Sequence, residues 1–174
     1  MRRSMLAIAV GGVALGACQP ASLTRQEIAV QEQVLQSRVA AWAKAFSNQQ
    51  EDSLAAYYEQ TDQLTVAWPD GDRSNSWDEE VAKEKTFFAG AQQVNLVVQD
   101  PQVEILDARV ALVTFRHAMD VIIGDFNPER RYFPGQATLV WVRTDDKSPW
   151  LIRAAQLSET PQAAPAPTTP ARRR

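Results

Sequence analysis

Cysteine and histidine are nearly missing from this chain, each occurring once, as Cys18 and His117. A single cysteine excludes an internal disulfide framework. One histidine with no second soft ligand, and no serine in a nucleophile turn, leaves neither a metal site nor a triad to assemble. A basic run is also missing from the body of the sequence. Lys and Arg number 18 against 21 Asp and Glu, and the only basic cluster, Arg172 to Arg174, ends the chain as a solvated tail. A surface that neutralises nucleic-acid phosphates is therefore excluded. No apolar run reaches the roughly 20 residues of a membrane-spanning helix, and there is no internal repeat. What remains is 174 residues, 45% hydrophobic and 22% charged, enough for one domain around a single core.

The position of the cysteine is informative. Arg2 and Arg3 precede an apolar run at 5–15, and the small residues of Leu15-Gly16-Ala17-Cys18 follow it. This order resembles the lipobox of bacterial lipoproteins. The resemblance implies removal of residues 1–17 and lipidation of Cys18, which becomes the new N-terminus. Gln19 follows where an inner-membrane protein of that family carries Asp, so the resemblance implies an anchor in the outer membrane facing the periplasm. Acyl chains contribute ~0.8 kcal/mol per buried methylene, so a multiply acylated cysteine holds a domain on a membrane.

Residues 18–23 read as the lipidated Cys and a tether, 24–159 as the folded domain, and 160–174 as a disordered Pro/Ala-rich tail. Thr24 and Glu27 have capping-box spacing. Ile28, Leu35, Val39, Trp42 and Phe46 then recur on one helical face. A second, short helix is predicted at 53–58, a strand at 64–68 ending in the Asp70-Gly71 turn signal, and a third helix capped by Ser76 or Asp78 and running to about Phe88. Strand segments at 94–98 and 103–106 are interrupted at Asp100-Pro101. The longest strand, 109–124, is apolar on both parities: Val110, Leu112, Thr114, Arg116, Ala118 and Asp120 alternate with Val113, Phe115, His117, Met119, Val121 and Ile123. Two more strands, 135–143 and 150–157, flank a turn at 144–149. Helices followed by long antiparallel strands make an α+β domain.

This order of elements over about 26–159 resembles the cone-shaped nuclear transport factor 2-like superfamily, including its SnoaL-like members. The nearest local wording is that of calcium/calmodulin-dependent kinase association domains, carried by Val140-Trp141, Arg143, Asp145, Lys147, Trp150, Ser158, Ala111 and Arg116. The resemblance implies a curved antiparallel sheet with N-terminal helices on its concave face. Its ketosteroid isomerase-like members use an Asp base, a Tyr donor and a strand Asp. Here Trp68 and Trp42 occupy the first two positions and the stretch 136–138 has no carboxyl group, so no catalytic residue is carried over. Asp62 reads as a turn or cap residue. The association domains gather arginines around a carboxylate ligand. Arg116 falls on one such position, while two others are Leu139 and Leu157.

The expected ligand-binding residues are Arg116, Tyr58, Trp68 and Trp141, with no metal and no cofactor. An Arg on an apolar strand face needs a partner. That partner is either an internal carboxylate such as Asp120 or Glu84, or an anionic ligand. With Arg116 facing the interior, His117 faces a neighbouring subunit or solvent. The function implied is a membrane-anchored periplasmic binding or interaction domain for a small apolar or carboxylate ligand. The alternatives are a SnoaL-like isomerase, cyclase or hydrolase using Asp62, Arg116 and Tyr58, or an adaptor using its outer sheet face. The parity from Val113 to Ile123, left apolar, is expected to pair across a two-fold axis as a homodimer.

Cys18→Ser should release the protein from the membrane fraction and abolish acyl labelling. Unchanged fractionation would remove the lipoprotein reading.

Overall fold

The computed structural model describes residues 23–160. Cys18, the segment before it and nearly all of the Pro/Ala-rich tail lie outside the described residues. Helix α1 (Arg25–Ser47) opens with the expected capping box. The Thr24 hydroxyl accepts from the Glu27 amide at 3.3 Å, and the Glu27 carboxylate accepts from the Thr24 amide at 2.8 Å. Leu35, Val39, Trp42 and Phe46 form the buried stripe, while Ile28 is only half-buried near the start of the helix. Helix α2 (Glu51–Ala55) begins slightly earlier than the sequence suggests. Strand β1 (Thr65–Ala67) is followed by the Asp70-Gly71 turn, with Gly71 at φ +91°, a backbone region that glycine enters without a Cβ penalty. Strand β2 (Arg73–Ser74) and helix α3 (Trp77–Gly90), capped by Ser76, complete the first half.

The second half is four long strands: β3 (Ala91–Asp107), β4 (Val110–Ile123), β5 (Glu129–Val142) and β6 (Leu151–Glu159). They form one six-stranded curved sheet in the order β2-β1-β6-β5-β4-β3, antiparallel except where β1 runs parallel to β6. The two strand segments expected around Asp100-Pro101 are one edge strand with a register shift between Gln99 and Gln102 and positive φ at Asp100. Proline is tolerated there because an edge strand has one ladder only. The α1 terminus caps that edge: the Ser47 hydroxyl accepts from the Leu96 amide at 2.9 Å, and the Gln49 side chain donates to the Ala91 carbonyl at 3.1 Å. An edge covered in this way is a poor template for a stray strand.

The helices cover the concave face, and the parity they cover corrects an expectation. Val113, Phe115, His117, Met119 and Val121 are buried on the inward side of β4. The Phe115 ring centroid lies 6.4 Å from that of Trp42 on α1. The apolar parity assigned to a dimer interface is thus the protein's own core, and Arg116 faces outward. Both parities of β4 are apolar, so alternation separates two sets of side chains without saying which set the helices take. His117 sits against Gly135 on β5. A Cβ there would come within 2.8 Å of its Nε2 and 1.8 Å of the Ser158 carbonyl, so only glycine fits.

Phe115→Ala should cost about 3–5 kcal/mol of folding stability, as expected for a buried aromatic side chain. Urea denaturation at two protein concentrations checks it. The same loss at both concentrations marks a core residue, and a loss only at the lower one would restore the interface assignment.

Candidate functional site

The helices fill one end of the concave face and leave the other open. At the closed end Leu35 and Val39 of α1 pack in one core with Ala111, Val113, Leu139 and Trp141 of the sheet. At the open end lies a cavity of about 510 Å³. Phe46 from the last turn of α1, Trp68 after β1, Phe87 of α3, Met119 and Ile123 of β4 and Phe133 of β5 make its apolar wall. Phe46 and Trp68 stack with ring centroids 5.4 Å apart, and Phe46 and Phe87 at 5.9 Å. Asp70, Asp72, Lys83 and Arg131 also line the cavity. The volume lies within the range of sites for small organic molecules, roughly 300–1,000 Å³.

Behind this wall runs a buried polar chain. Helix α3 turns Glu80, Glu84 and Phe88 inward, one above another at helical spacing. Glu80 is fully buried and Glu84 is 4% exposed. The Trp68 indole donates to Glu80 at 3.0 Å. The Tyr58 hydroxyl donates to Glu84 at 2.7 Å and accepts from the Trp42 indole at 3.2 Å. The two carboxyl groups lie one turn apart on the buried face of α3. Two such carboxylates held away from water resist ionising together. Burial, and then the charge of Glu80, push Glu84 up to about 9. Burial also raises Glu80, opposed by Ser74, Trp68 and Lys83. Glu84 therefore keeps its proton near neutral pH. Tyr58, wholly buried beside them, is raised well above the ordinary tyrosine range by burial and by both glutamates.

The sequence-derived residues are only partly brought together. Trp68 lines the cavity, and Tyr58 lies directly behind it, bonded to Glu84. Trp141 is fully buried at the closed end, with the Arg38 guanidinium 6.0 Å from its ring, and does not line the cavity. Arg116 is on the convex face, 63% exposed in its side chain and paired with Asp100. Neither of the internal partners considered for it is used: Asp120 pairs with Arg130, and Glu84 bonds to Tyr58. Asp62 is an exposed turn residue. His117, placed at an interface or in solvent by the sequence reading, is buried on the concave side, and burial lowers its pKa. The Glu80–Glu84 pair escaped notice as a site. Its signal was present: Trp77, Val81, Phe87 and Phe88 form an amphipathic stripe, and the two glutamates fall inside it.

A raised carboxyl pKa weakens the fold as pH rises. Between about 4.5 and 9 the folded state holds a proton on Glu84 that the unfolded chain has released, so stability falls with pH, by at most about 1.4 kcal/mol per pH unit. Glu84→Gln keeps an acceptor for Tyr58 without titrating. It should match wild type near pH 5 and exceed it in stability at pH 8. Urea midpoints at both values check this, and equal midpoints at pH 8 would refute the proton retained on Glu84.

Residues 35–162 match the family model for the SnoaL-like domain. No curated protein matches the chain. Among solved structures, a nuclear transport factor 2-like superfamily protein from Salmonella enterica aligns with a TM-score of 0.69 at 12% identity, over 82% of this chain and 99% of that one. A protein of Novosphingobium aromaticivorans provisionally assigned as a scytalone dehydratase aligns at 0.68 and 10% identity, over 76% and 86%. The association domain of C. elegans CaMKII aligns at 0.59 and 18% identity, over 78% and 99%. These likenesses concern the fold, whereas the family match spans most of the sequence. The chain belongs to the SnoaL-like domain family.

Proposed function

We propose that this protein is an envelope-anchored binding domain whose cavity takes a small, mainly apolar molecule. The observation that carries this reading is the cavity of about 510 Å³, walled by Phe46, Trp68, Phe87, Met119 and Phe133, with a buried carboxyl group in its lining. Apolar walls supply affinity, and a few polar groups set orientation. Here Glu84 is that group, held by Tyr58. The ligand moves from the neighbourhood of Arg116, where the sequence put it, to the opposite face of the sheet. Lipidation at Cys18 would hold the domain at the periplasmic side of the outer membrane and keep the cavity near the lipid surface. Self-association would use the convex face, where β4 and β5 present the outward side chains of Leu112, Val140 and Tyr132. The CaMKII association domain shares this fold.

The buried carboxyl pair favours a second reading, acid–base turnover. A carboxyl group that stays protonated near neutrality is a general acid. The Novosphingobium protein of the same fold is provisionally assigned as a dehydratase, and loss of water from a substrate calls for such a donor. In this reading Glu84 and Tyr58 replace the set of Asp62, Arg116 and Tyr58 drawn from the sequence.

Binding is tested by titrating the full-length protein with a panel of small aromatic compounds and following tryptophan fluorescence. Binders should perturb Trp68, and Phe87→Trp, which narrows the cavity, should weaken them by about tenfold, the equivalent of ~1.4 kcal/mol. Saturable binding that Phe87→Trp leaves unchanged would place the site elsewhere. Consumption of a bound compound that Glu84→Gln abolishes would favour turnover.

A further inference from the structure

The charge around the cavity is lopsided. Asp70 and Asp72 line it from the turn between β1 and β2, and Glu80 lies behind it on α3. Of the two cations in its lining, Lys83 donates to the Arg73 carbonyl at 2.6 Å and stands 3.8 Å from Asp72. Arg131 of β5 is paired with Glu129 at 3.0 Å. Both are occupied by groups of the protein. Glu51 on α2 adds a further negative charge felt by Glu84, and Tyr58 contributes a neutral donor. No uncommitted cation faces Glu84 among the described residues of the elements packed around it.

Aromatic faces are the other component. Trp68 and Phe87 each stack with Phe46, and Phe133 of β5 joins them in the lining. Aromatic faces are electron-rich, and a cation within about 6 Å of a ring centroid is attracted by the ring quadrupole, most strongly when water is excluded. An aromatic-walled cavity with the Glu84 carboxyl group in its lining suits a positive charge on an apolar body. A carboxylate ligand would meet another acidic group there, and the two cations of the lining already have partners in the protein.

Resting on the ligand-binding reading above, we propose that the ligand class is a small organic cation: an ammonium group on an apolar, ring-sized body, seated among Trp68, Phe46, Phe87 and Phe133 and directed at Glu84. On binding, Glu84 releases its proton to solvent and the ammonium takes over the place that the proton held, so the charge of the cavity is unchanged. The N–H donors of the ligand meet the Glu84 carboxylate, and its ring meets apolar wall.

The test uses the full chain and three probes of similar shape and different charge: 2-phenylethylammonium, 2-phenylethanol and phenylacetate. Each is titrated at pH 7, where an alkylammonium remains protonated, with binding read by calorimetry and tryptophan fluorescence. The expected order is ammonium first, by at least about tenfold over the alcohol, and phenylacetate last. Glu84→Gln should bring the affinity for the ammonium down to that for the alcohol measured on the same variant. An alcohol or phenylacetate that binds as well as the ammonium overturns the cation assignment and leaves the binding reading intact. So does an ammonium preference that survives Glu84→Gln. Failure of all three probes overturns both. If Glu84→Gln does not fold, the probe order in the wild-type protein decides.

Discussion

The concave face of the sheet has to be withdrawn from water, and the coverage available is one long helix, one medium helix and one single turn. Everything else follows from how far that coverage reaches. Burying a large apolar side chain contributes roughly 1.5–3 kcal/mol, so α1 aligns its stripe of Leu35, Val39 and Trp42 over the end where β4 and β5 present Ala111, Val113, Leu139 and Trp141. The stripe ends at Phe46, and α3 approaches with Phe87 and Phe88 from another direction. Between these termini the sheet is left without a helix directly on it, and the cavity is that gap.

The interior face of α3 carries two glutamates where apolar side chains would be cheaper. Like charges four residues apart on a helix repel even in water, and burial adds a desolvation cost that only protonation and hydrogen bonds relieve. The fold relieves it with a proton kept on Glu84, the indole of Trp68 on Glu80, and the hydroxyl of Tyr58 on Glu84. Tyr58 is in turn held by the Trp42 indole. Each group in the chain satisfies the next, and removal of any one leaves a buried polar atom exposed to an apolar surrounding. Such an arrangement stabilises a fold less than hydrocarbon would, so its presence beside a cavity points to use.

Much of the architecture was legible in residue order. The capping box at Thr24 and Glu27, the helical stripe of α1, the Asp70-Gly71 turn and the alternation in β4 are local signals, and these features formed where they were expected, whereas β5 begins six residues before the expected 135. The site was less legible. Trp68 and Tyr58 could be singled out, and both belong to the cavity or its support. Arg116 and Trp141 could also be singled out, and they lie on the convex face and at the closed end. Glu84 reads in the sequence only as an internal carboxylate that could partner Arg116, and Glu80 carries no mark of its own. The rotation of α3 about its axis, which turns them inward, is set by Trp77, Phe87 and Phe88 meeting neighbours far away in the chain.

What the sequence determined by itself was therefore every feature governed by short-range periodicity: where helices begin, which strands alternate, where the backbone must turn, and which family the order of elements resembles. What only the tertiary structure decided was handedness of placement. A strand apolar on both parities is ambiguous between its two faces, because alternation has a two-fold symmetry that sequence spacing cannot break. The symmetry is broken when the helices settle on one side, and that single event buried Phe115 and His117, turned Arg116 to solvent, and brought the carboxyl pair of α3 against Tyr58 and Trp68.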